Sequence, residues 1–437
     1  MRTFRLFPLV VAVILMLSRC DMSSIPEAEQ PADDPSDSGP LTESMVRLNL
    51  EMQRLMQQYY LWNSSIAPDL TTAESAATYD SQELFYRMLA PQDTWSGMRT
   101  YAQFVQTTNA VLTIYGFGAV FCTTYTQGKW QVLVQCVHPG SPLWKQHVRR
   151  GDILTRINNG SAVQQYFNGT LAAALARPSA TFTFSRSSAS EIHTMKVYRA
   201  IYTMTPLLHQ QVCTAGDGRT AGYMMYHQFE NYPDAAERLD ACFRTFREAG
   251  ATSLVIDLRY NEGTSLEQAG LLASWLLPDT CTGEVPFIRQ IGNGSAAAAA
   301  AFPDIRITRR PDAPGFRKIA VITSEQTARA AEIFIHCLKA YYPDLLVIGH
   351  QTAGDTFVRA TRFFPEPVPD TSVTPEWVYM PVVARTADKD GRIVSPDGIP
   401  ADVECEDDLL HDFGVNSLLS GEACLETALH HVMSQEP

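Results

Sequence analysis

The sequence predicts an α/β core preceded by a helical domain and a β-rich domain. Apolar runs of strand length alternate with helical patterns in the last half of the chain, and polar loops follow these strands. Strands that alternate with helices form largely parallel sheets, whose functional loops gather at the strand ends. The chain has 437 residues, of which 45% are hydrophobic and 19% charged, and this composition excludes a disordered or fibrous protein.

Charge and cysteine spacing narrow the function classes. The formal net charge is −13, and such a surface repels phosphate backbones, so nucleic acid is not an expected partner. The eight cysteines after Cys20 are all at least fourteen residues apart, which excludes a CxxC zinc or redox pair. We expect neither a metal nor a cofactor. The sequence leaves disulfides and free thiols equally open.

The first residues resemble a bacterial lipoprotein signal. Two arginines precede an uncharged run of thirteen residues, which suits a signal-peptide core and is too short to span a bilayer. In such signals the cysteine, here Cys20, becomes the lipidated N-terminus, although Arg19 replaces the usual small residue. Residues 1–19 are therefore a predicted signal peptide, and the acidic, proline-rich residues 20–41 a predicted tether. This predicts a membrane-anchored lipoprotein of the bacterial cell envelope, or otherwise a secreted or periplasmic protein.

Residues 42–107 are predicted to form a helical domain. Apolar residues recur at spacings of three and four from Met45 to Tyr59, which makes one apolar stripe. A second short helix fits Ser81 to Leu89. The stripe predicts that the first helix packs one face against other parts of the protein.

Residues 108–205 are predicted to form a β-rich domain that resembles a PDZ domain. The string Tyr115-Gly116-Phe117-Gly118 is followed by two alternating runs and then by the strings PGSP and RGDIL. In PDZ domains a Gly-x-Gly loop donates backbone N–H groups to a peptide's terminal carboxylate, and the peptide adds as a strand. The resemblance implies that this loop binds a peptide or a protein C-terminus. A structural β-domain that binds nothing is the alternative.

Residues 206–437 are predicted to form the α/β core. Apolar runs of strand length predict three buried strands, and two helical patterns lie between them. The predicted elements are a strand at Ser253–Leu258, a helix at Leu266–Leu277, a strand at Lys318–Thr323, a helix at Ala328–Ala340 and a strand at Leu345–Gly349.

Five strings of this core together resemble the C-terminal-processing (tail-specific) serine peptidases. The order of helical domain, PDZ-like domain and core also matches that family, so the resemblance covers nearly the whole chain after the tether. It implies a core of ClpP/crotonase-like βα units. The strings are Tyr223 to Phe229, Asp257 to Gly263, Thr327 to Glu332, Gly349 to Asp355 and Asp397 to Asp402.

The catalytic residues that the resemblance implies are missing. These peptidases use a serine nucleophile and a lysine general base. The serine position aligns with Arg329, and the lysine position aligns with Asp355. In the loop that helps to bind the oxyanion, the family's paired glycines become Gly263 and Thr264, and threonine disfavours the backbone geometries that glycine tolerates. We therefore predict an inactive member of the family, a pseudo-peptidase.

The two substitutions place opposite charges where the dyad side chains lie within hydrogen-bonding reach. An arginine near a helix N-terminus is unfavourable by itself, because that end of the helix dipole is positive, and a facing carboxylate offsets this. We therefore predict an ion pair between Arg329 and Asp355. The alternative is drift in an unused cleft, with both side chains in water.

Other residues in the core give little sign of replacement chemistry. Ser324 and Thr327 lie in a turn, and His350 follows a strand. His336, Cys337 and the pair His430-His431 are interpreted as ordinary helix residues, and no metal-ligand spacing is present. Three functions stay open: an inactive protein that binds peptides or protein C-termini, a serine-type peptidase with an unrecognised nucleophile, and a carrier of small apolar ligands.

Overall fold

The computed structural model describes residues 41–107, 113–126, 128–186, 189–365, 375–407 and 422–434. The predicted signal peptide, Cys20 and all but the last residue of the predicted tether lie outside the described residues. No helix in the described ranges is both long and apolar enough to cross a membrane. Likewise, the eight cysteines in these ranges form no disulfide.

Contacts divide the chain into two units, which we describe separately. The β-rich unit comprises Val111–His209 and Glu406–Thr427. The core unit comprises the described residues up to 107, Gln210–Cys405 and the residues from Ala428 onward.

The core unit begins with helices and one strand. The helix α1 starts at Thr42, whose side chain accepts a hydrogen bond from the N–H of Met45, a normal N-cap. The predicted apolar stripe is buried: Leu48, Met52 and Met56 are at most 1% exposed and belong to one apolar cluster. The elements are α1 (Glu43–Tyr59), two 3₁₀ turns (Asn63–Ser65 and Pro68–Thr71), α2 (Ala73–Thr78), α3 (Ser81–Arg87), β1 (Gly97–Thr100) and α4 (Tyr101–Thr107).

The β-rich unit contains an antiparallel sheet with three short helices. Its elements are β2 (Thr113–Gly116), β3 (Ala119–Thr126), β4 (Lys129–Val137), α5 (Pro142–Lys145), β5 (Ile153–Ile157), β6 (Gly160–Ser161), α6 (Ala162–Phe167), α7 (Leu171–Ala176), β7 (Ser179–Arg186), β8 (Ala189–Tyr198) and β9 (Ala200–Thr203). Among the described residues the strand order is β3-β4-β5-β7-β8, with β6 paired to β5 and β2 paired to β9. Among the described residues β3 is therefore an edge strand, with one neighbouring strand in this sheet.

The rest of the core unit contains the predicted parallel sheet, and the first residues of its elements β10 and α12 belong to the β-rich unit. Its elements are β10 (Leu207–Thr214), β11 (Thr220–Tyr226), α8 (Ala235–Glu248), β12 (Ser253–Asp257), α9 (Leu266–Ser274), β13 (Glu284–Ile291), α10 (Ala296–Ala301), β14 (Ile305–Thr308), β15 (Lys318–Thr323), α11 (Ala330–Lys339), β16 (Leu346–Gly349), β17 (Val358–Arg359), β18 (Arg362–Phe364), β19 (Trp377–Met380), β20 (Val382–Ala387), β21 (Val403–Glu404) and α12 (Ala423–Met433).

The main sheet of the described residues has the order β10-β11-β12-β15-β16-β21. The strands from β11 to β21 pair in parallel. β12 and β15 are buried almost along their whole length, as expected for a sheet that is covered on both faces. The mixed α/β fold and the three predicted strands are thus confirmed, within one residue at each end.

Two smaller antiparallel sheets bring distant segments to the core. One has the order β1-β19-β18, and the other β14-β13-β20-β17. The first carries Arg99 on β1, opposite Val378. The second carries Arg359 on β17. Neither neighbourhood was evident from the sequence, because antiparallel pairing joins segments more than 250 residues apart in the first case.

Candidate active site

Loops that follow β12, β15 and β16 form the candidate site. Parallel strands present their carboxyl ends at one edge of the sheet, and the loops there lie side by side. In this protein these loops are residues 258–265, 324–329 and 350–356. These loops contain Gly263 and Thr264, Arg329 and Asp355. In sequence, these residues align with the oxyanion loop, the nucleophile and the base of the tail-specific peptidases.

The first loop is held by the buried side chain of Asn261. Its Nδ2 donates to the carbonyl of Tyr226 at 3.0 Å, and its Oδ1 accepts from the N–H groups of Phe229 and Gly263, each at 3.2 Å. A Cβ at position 263 would lie 2.2 Å from the backbone nitrogen of Phe229. Glycine is therefore required here by a close backbone approach.

The second loop uses its hydroxyl groups as internal hydrogen-bond donors. Thr327 Oγ1 donates to the carbonyl of Leu258 at 2.8 Å, and Ser324 Oγ donates to the carbonyl of Arg259. Both hydroxyls belong to buried residues. These contacts fix the turn that precedes α11, so both candidate replacement nucleophiles already have a structural partner.

Arg329 occupies an unusual backbone conformation at the start of α11. Its φ is 58° and its ψ is −119°, a region that glycine adopts easily and residues with a Cβ do not. Strain of this kind persists only where the surrounding contacts hold it. The predicted helix from Ala328 therefore begins two residues later, at Ala330.

The predicted ion pair between Arg329 and Asp355 is present. Arg329 Nε donates to Asp355 Oδ2 at 2.9 Å, and the two side chains are 10% and 17% exposed. A second arginine was not predicted: Arg359 Nη1 and Nη2 donate to Asp355 Oδ1 and Oδ2 at 2.9 and 2.8 Å. Arg329 Nη1 also donates to the carbonyl of Glu262 at 2.9 Å. Positions 329 and 355 therefore belong to a nearly buried network of charges.

The carboxylate of Glu332 joins the backbones of positions 329 and 355. Its Oε2 accepts from the N–H groups of Arg329 and Asp355, both at 2.9 Å. Its Oε1 accepts from Gly354 N–H at 2.7 Å and from Thr352 Oγ1 at 2.5 Å. Glu332 is 0% exposed. One buried carboxylate thus fixes the second and third loops to each other.

The N–H groups that could bind an oxyanion already have protein acceptors. Ala330, the residue after position 329, donates its N–H to the carbonyl of Gly263 at 3.1 Å. Thr264 donates its N–H to Glu230 Oε1 at 3.2 Å, and Gly263 donates to Asn261. An oxyanion hole requires donors aimed at the position of the developing charge. In this loop the donors are directed at the protein itself.

Burial and charge shift the acid–base behaviour of three carboxylates. Burial raises the pKa of Glu332 above its ordinary value, although its hydrogen bonds oppose this. Burial also raises the pKa of Glu230, against the opposing effect of its contacts with Thr264. Burial alone would raise the pKa of Asp355, but the guanidiniums of Arg359 and Arg329 outweigh it and hold that pKa below its ordinary value. Asp355 is therefore an anion at neutral pH and a poor proton acceptor.

A cavity of about 210 Å³ lies beside Arg329. Three of its twelve lining residues are arginines, Arg99, Arg329 and Arg359. Seven others are apolar and the last two are threonines. Arg99 lies over the ring of Phe104, with 5.6 Å between its Cζ and the ring centroid.

The remaining residues singled out in the sequence lie apart from this cavity wall. His350 Nδ1 is 3.5 Å from Glu404 Oε2, and His336 Nε2 is 3.0 Å from the carbonyl of Arg392. Cys337 is buried, and burial raises the pKa of its thiol. Among the described residues, no cluster of three or more histidine, cysteine or acidic side chains could hold a metal.

The loop from Tyr115 to Gly118 lies in the β-rich unit and comprises the last two residues of β2 and the two residues before β3. Gly118 has φ 86°, and a Cβ there would lie 2.0 Å from Cβ of Ser141, so the loop requires glycine. Arg199 stacks on the ring of Tyr115 at 4.6 Å. Cys20 lies outside the described residues.

Sequence reasoning missed four residues of the core site. Arg359 carried a weak signal, since it follows Asp355 by four residues. Glu332 ends the string Thr327 to Glu332, and no role was predicted for it. Glu230 and Arg99 carried no local signal, because they reach the site only through the packing of β11 and the pairing of β1 with β19.

Comparison with known proteins agrees with this arrangement of loops. Residues 220–405 match peptidase family S41. A probable CtpA-like serine protease of Staphylococcus aureus strain N315 is 23% identical over 234 residues, which cover 54% of this chain and 44% of the relative. The match thus spans about half the length of the curated relatives.

Two solved structures share the fold. A putative S41 protease from Bacteroides fragilis superposes with a TM-score of 0.67 at 20% identity, over 87% of this chain and 96% of that chain. The photosystem II D1 C-terminal processing protease superposes with a TM-score of 0.51 at 17% identity, over 84% of this chain and 94% of that chain. Together with the loop geometry, these matches show that residues 220–405 of this chain form a peptidase family S41 domain.

Proposed function

We propose that this chain is a catalytically inactive relative of the tail-specific serine peptidases that binds peptides or protein C-termini. The observation that carries the proposal is the ion pair at the two dyad positions. Arg329 has no nucleophilic oxygen and stays protonated at physiological pH. Its guanidinium is bound to the carboxylate that stands where the lysine base would be.

The chemistry of hydrolysis gives this substitution a large effect. Removal of a catalytic serine costs on the order of a millionfold in rate in hydrolases where it has been measured. A base at Asp355 would also fail, because its low pKa makes it a weak proton acceptor and there is no hydroxyl at position 329 to activate. Stabilisation of an oxyanion would be a second source of rate enhancement. It is also missing, because the N–H groups that could provide it, those of Gly263, Thr264 and Ala330, donate to acceptors of the protein itself.

An unrecognised nucleophile would have to come from elsewhere in the site. Ser324 and Thr327 precede Arg329 by five and two residues along the chain, and both donate to backbone carbonyls. No hydrogen bond between described residues joins either hydroxyl to a histidine or a lysine. A peptidase mechanism needs such a nucleophile–base contact, so we place active peptidase function second.

Tail binding is assigned to the PDZ-like loop of the β-rich unit. In the described residues, no hydrogen-bond acceptor pairs with the backbone N–H of Phe117 or Gly118, while their carbonyls accept from Leu143 and His138. β3 begins at the next residue and is an edge strand. A peptide could add to that edge as a strand, with its carboxylate at the two N–H groups. Both features support the proposal.

We further propose that Cys20 carries a lipid and that the tether of residues 20–41 holds the folded units away from a membrane of the bacterial envelope. The support is the arrangement of a short apolar run, a cysteine and an acidic, proline-rich segment. Mass spectrometry of the mature N-terminus tests this directly. An unmodified Cys20, or a chain that retains residues 1–19, would refute the anchor.

Binding of a labelled tail peptide tests the main proposal. Fluorescence anisotropy would compare a peptide with an apolar C-terminal residue and a free carboxylate with the same peptide carrying a C-terminal amide. We expect amidation to weaken binding about tenfold or more, because the N–H groups then lose their charged acceptor.

Two matched variants locate the binding site. Tyr115→Ala should weaken binding, since Tyr115 borders the loop and is 48% exposed. Tyr198→Ala should leave it unchanged, since Tyr198 is an exposed tyrosine on β8, at the opposite edge of the sheet. Equal binding of the free and amidated peptides, or an equal effect of both variants, would overturn the assignment.

A further inference from the structure

The cavity beside Arg329 has a wall whose charged members all have the same sign. Its arginines are Arg99, Arg329 and Arg359, and in the part of the chain that the structure describes none of its lining residues is acidic. Most of the other lining residues are apolar, including Phe104 and Phe357. Ligand sites are commonly apolar cavities with a few convergent polar groups that set orientation. This wall has the composition of a site for an apolar molecule with one negative charge.

The carboxylate that partners two of these arginines lies behind the wall. Asp355 accepts hydrogen bonds from Arg329 and from Arg359 but does not line the cavity. One carboxylate thus serves two guanidiniums, and Glu262 Oε2 lies 3.8 Å from Arg329 Nη1. Arg359 uses two of its five N–H groups on Asp355. Further donors are available on a side chain that is already fixed in place.

Fixed guanidiniums bind a carboxylate well. Arg359 is 12% exposed and is held by two hydrogen bonds to Asp355, so little side-chain entropy remains to be lost on binding. Arg99 is fixed by strand pairing of β1 and by contact with the ring of Phe104. The apolar surroundings lower the local dielectric constant and strengthen attraction to an anion.

We propose that this cavity binds an apolar monocarboxylate. The carboxylate contacts Arg359 and Arg99, and the apolar body packs against Phe104, Phe357 and Ile333. The volume of about 210 Å³ is below the usual range of drug-sized ligand sites, which begins at about 300 Å³, so the enclosed part of the ligand is small. This inference goes beyond the proposed function, because it assigns a ligand to the core unit and does not require tail binding by the β-rich unit.

Titration calorimetry with three probes of the same chain length tests the charge requirement. The probes are octanoate, octanol and octylamine, each added to the purified full chain. We expect octanoate to bind, octanol to bind about tenfold or more weakly, and octylamine not to bind, since hydrogen bonds to charged groups contribute about 1.5–3 kcal/mol. Octanol or octylamine binding as tightly as octanoate, or no binding of octanoate, would overturn the proposal.

Variants place the ligand in the cavity. Arg359→Met and Arg99→Met should each weaken octanoate binding about tenfold while binding of octanol stays the same. Arg362→Met is the matched control, because Arg362 lies three residues from Arg359 and does not line the cavity. Near-UV circular dichroism checks that each variant is folded, and the two independent arginines keep the test decisive if one variant is not. An equal loss in Arg362→Met would contradict the assignment.

A competition experiment identifies the source of the carboxylate. A tripeptide with apolar side chains and a free C-terminus either displaces octanoate, which makes a chain end the ligand, or fails to displace it, which makes a free acid the ligand. Tail binding by the β-rich unit is read separately as the effect of Tyr115→Ala in a chain that already carries Arg359→Met, so that any binding of the tail in the cavity is removed from that readout. Failure of one site is thereby distinguishable from failure of the other.

Discussion

The two loops that the sequence marks as functional differ in what their backbone N–H groups do. In the core unit, Gly263, Thr264 and Ala330 donate to acceptors of the protein itself. In the β-rich unit, the N–H groups of Phe117 and Gly118 meet no acceptor among the described residues. Buried or partly buried N–H groups require partners. The N–H groups of the first loop have acceptors within the protein, and this difference is why we propose tail binding at the second loop and no hydrolysis at the first.

In the core unit the S41 domain keeps its loop architecture with an arginine at position 329 and an aspartate at position 355. Arg329 retains a strained φ of 58° at the start of α11, the kind of geometry that suits a nucleophile placed on a sharp turn. Because an arginine adopts this conformation here, the surrounding contacts and not the residue type impose it. The same contacts now position an arginine for an ion pair.

The largest expected effect on stability comes from Glu332, the buried carboxylate that joins the loop before α11 to the loop after β16. Glu332→Ala leaves three backbone N–H groups and the hydroxyl of Thr352 without their acceptor. We expect a loss of about 3–5 kcal/mol in the free energy of unfolding, measured by urea denaturation. Glu332→Gln retains one carbonyl acceptor and should lose about half as much. A loss below about 1 kcal/mol in the unfolding free energy of the alanine variant would show that these two loops do not depend on Glu332 for their position.

The next effect compares the two partners of the ion pair. Asp355→Ala leaves Arg329 and Arg359 without their shared carboxylate in a nearly buried site, and we expect a loss of about 3 kcal/mol. Arg329→Ala leaves Asp355 paired with Arg359, so the loss should be only about 1–2 kcal/mol.

The exposed pair between Arg87 and Glu83 is the control for this comparison. These side chains are 52% and 40% exposed, and Arg87→Ala should change stability by less than about 1 kcal/mol. Equal losses for Asp355→Ala and Arg329→Ala would contradict the role assigned to Arg359.

A smaller effect on stability is expected from the backbone strain at Arg329. Arg329→Gly and Arg329→Ala both remove the ion pair, but only glycine relieves the positive φ. We expect the glycine variant to be more stable than the alanine variant by about 1 kcal/mol, after the greater entropy of an unfolded glycine is taken into account. Thermal denaturation of the two proteins measures the difference. A more stable alanine variant would mean that the turn relaxes when the arginine is removed.

The smallest effect is on pH dependence. Asp355 has a pKa below its ordinary value of 3.8, so its stabilising contribution is present above that value and is lost as pH falls through the lower folded pKa. Burial raises the pKa values of Glu332 and Glu230. Protonation of these two groups as the pH falls therefore favours the folded state. The melting temperature of Asp355→Asn should therefore fall less steeply below about pH 4 than that of the natural chain. Parallel curves would show that Asp355 titrates normally.

The sequence predicted the features that depend on local pattern or on aligned strings. The strand at Lys318–Thr323 was predicted to the residue, and the α1 stripe is buried as its spacing indicates. The Arg329–Asp355 pair followed from the alignment of two strings and from charge. The sequence did not predict Arg359 as the second partner, because its position depends on the pairing of β17 with β20.

The closure of the oxyanion loop could not be predicted either. It depends on a hydrogen bond from Ala330 to Gly263 and on the approach of Glu230 to Thr264. Both are contacts between loops of different strands, whose relative position only the folded sheet determines. Threonine at position 264 was expected to disturb the loop, and its N–H instead binds a carboxylate.

Hydrolysis of a tail-bearing substrate tests the central claim most directly. The natural chain would be incubated with an unfolded protein that ends in an apolar tail, and liquid chromatography with mass spectrometry would follow the intact substrate and any new termini. We predict that the tail binds and that its mass does not change. New termini produced by the natural chain, and absent when the chain is omitted, would contradict the claim and show that the chain is an active peptidase.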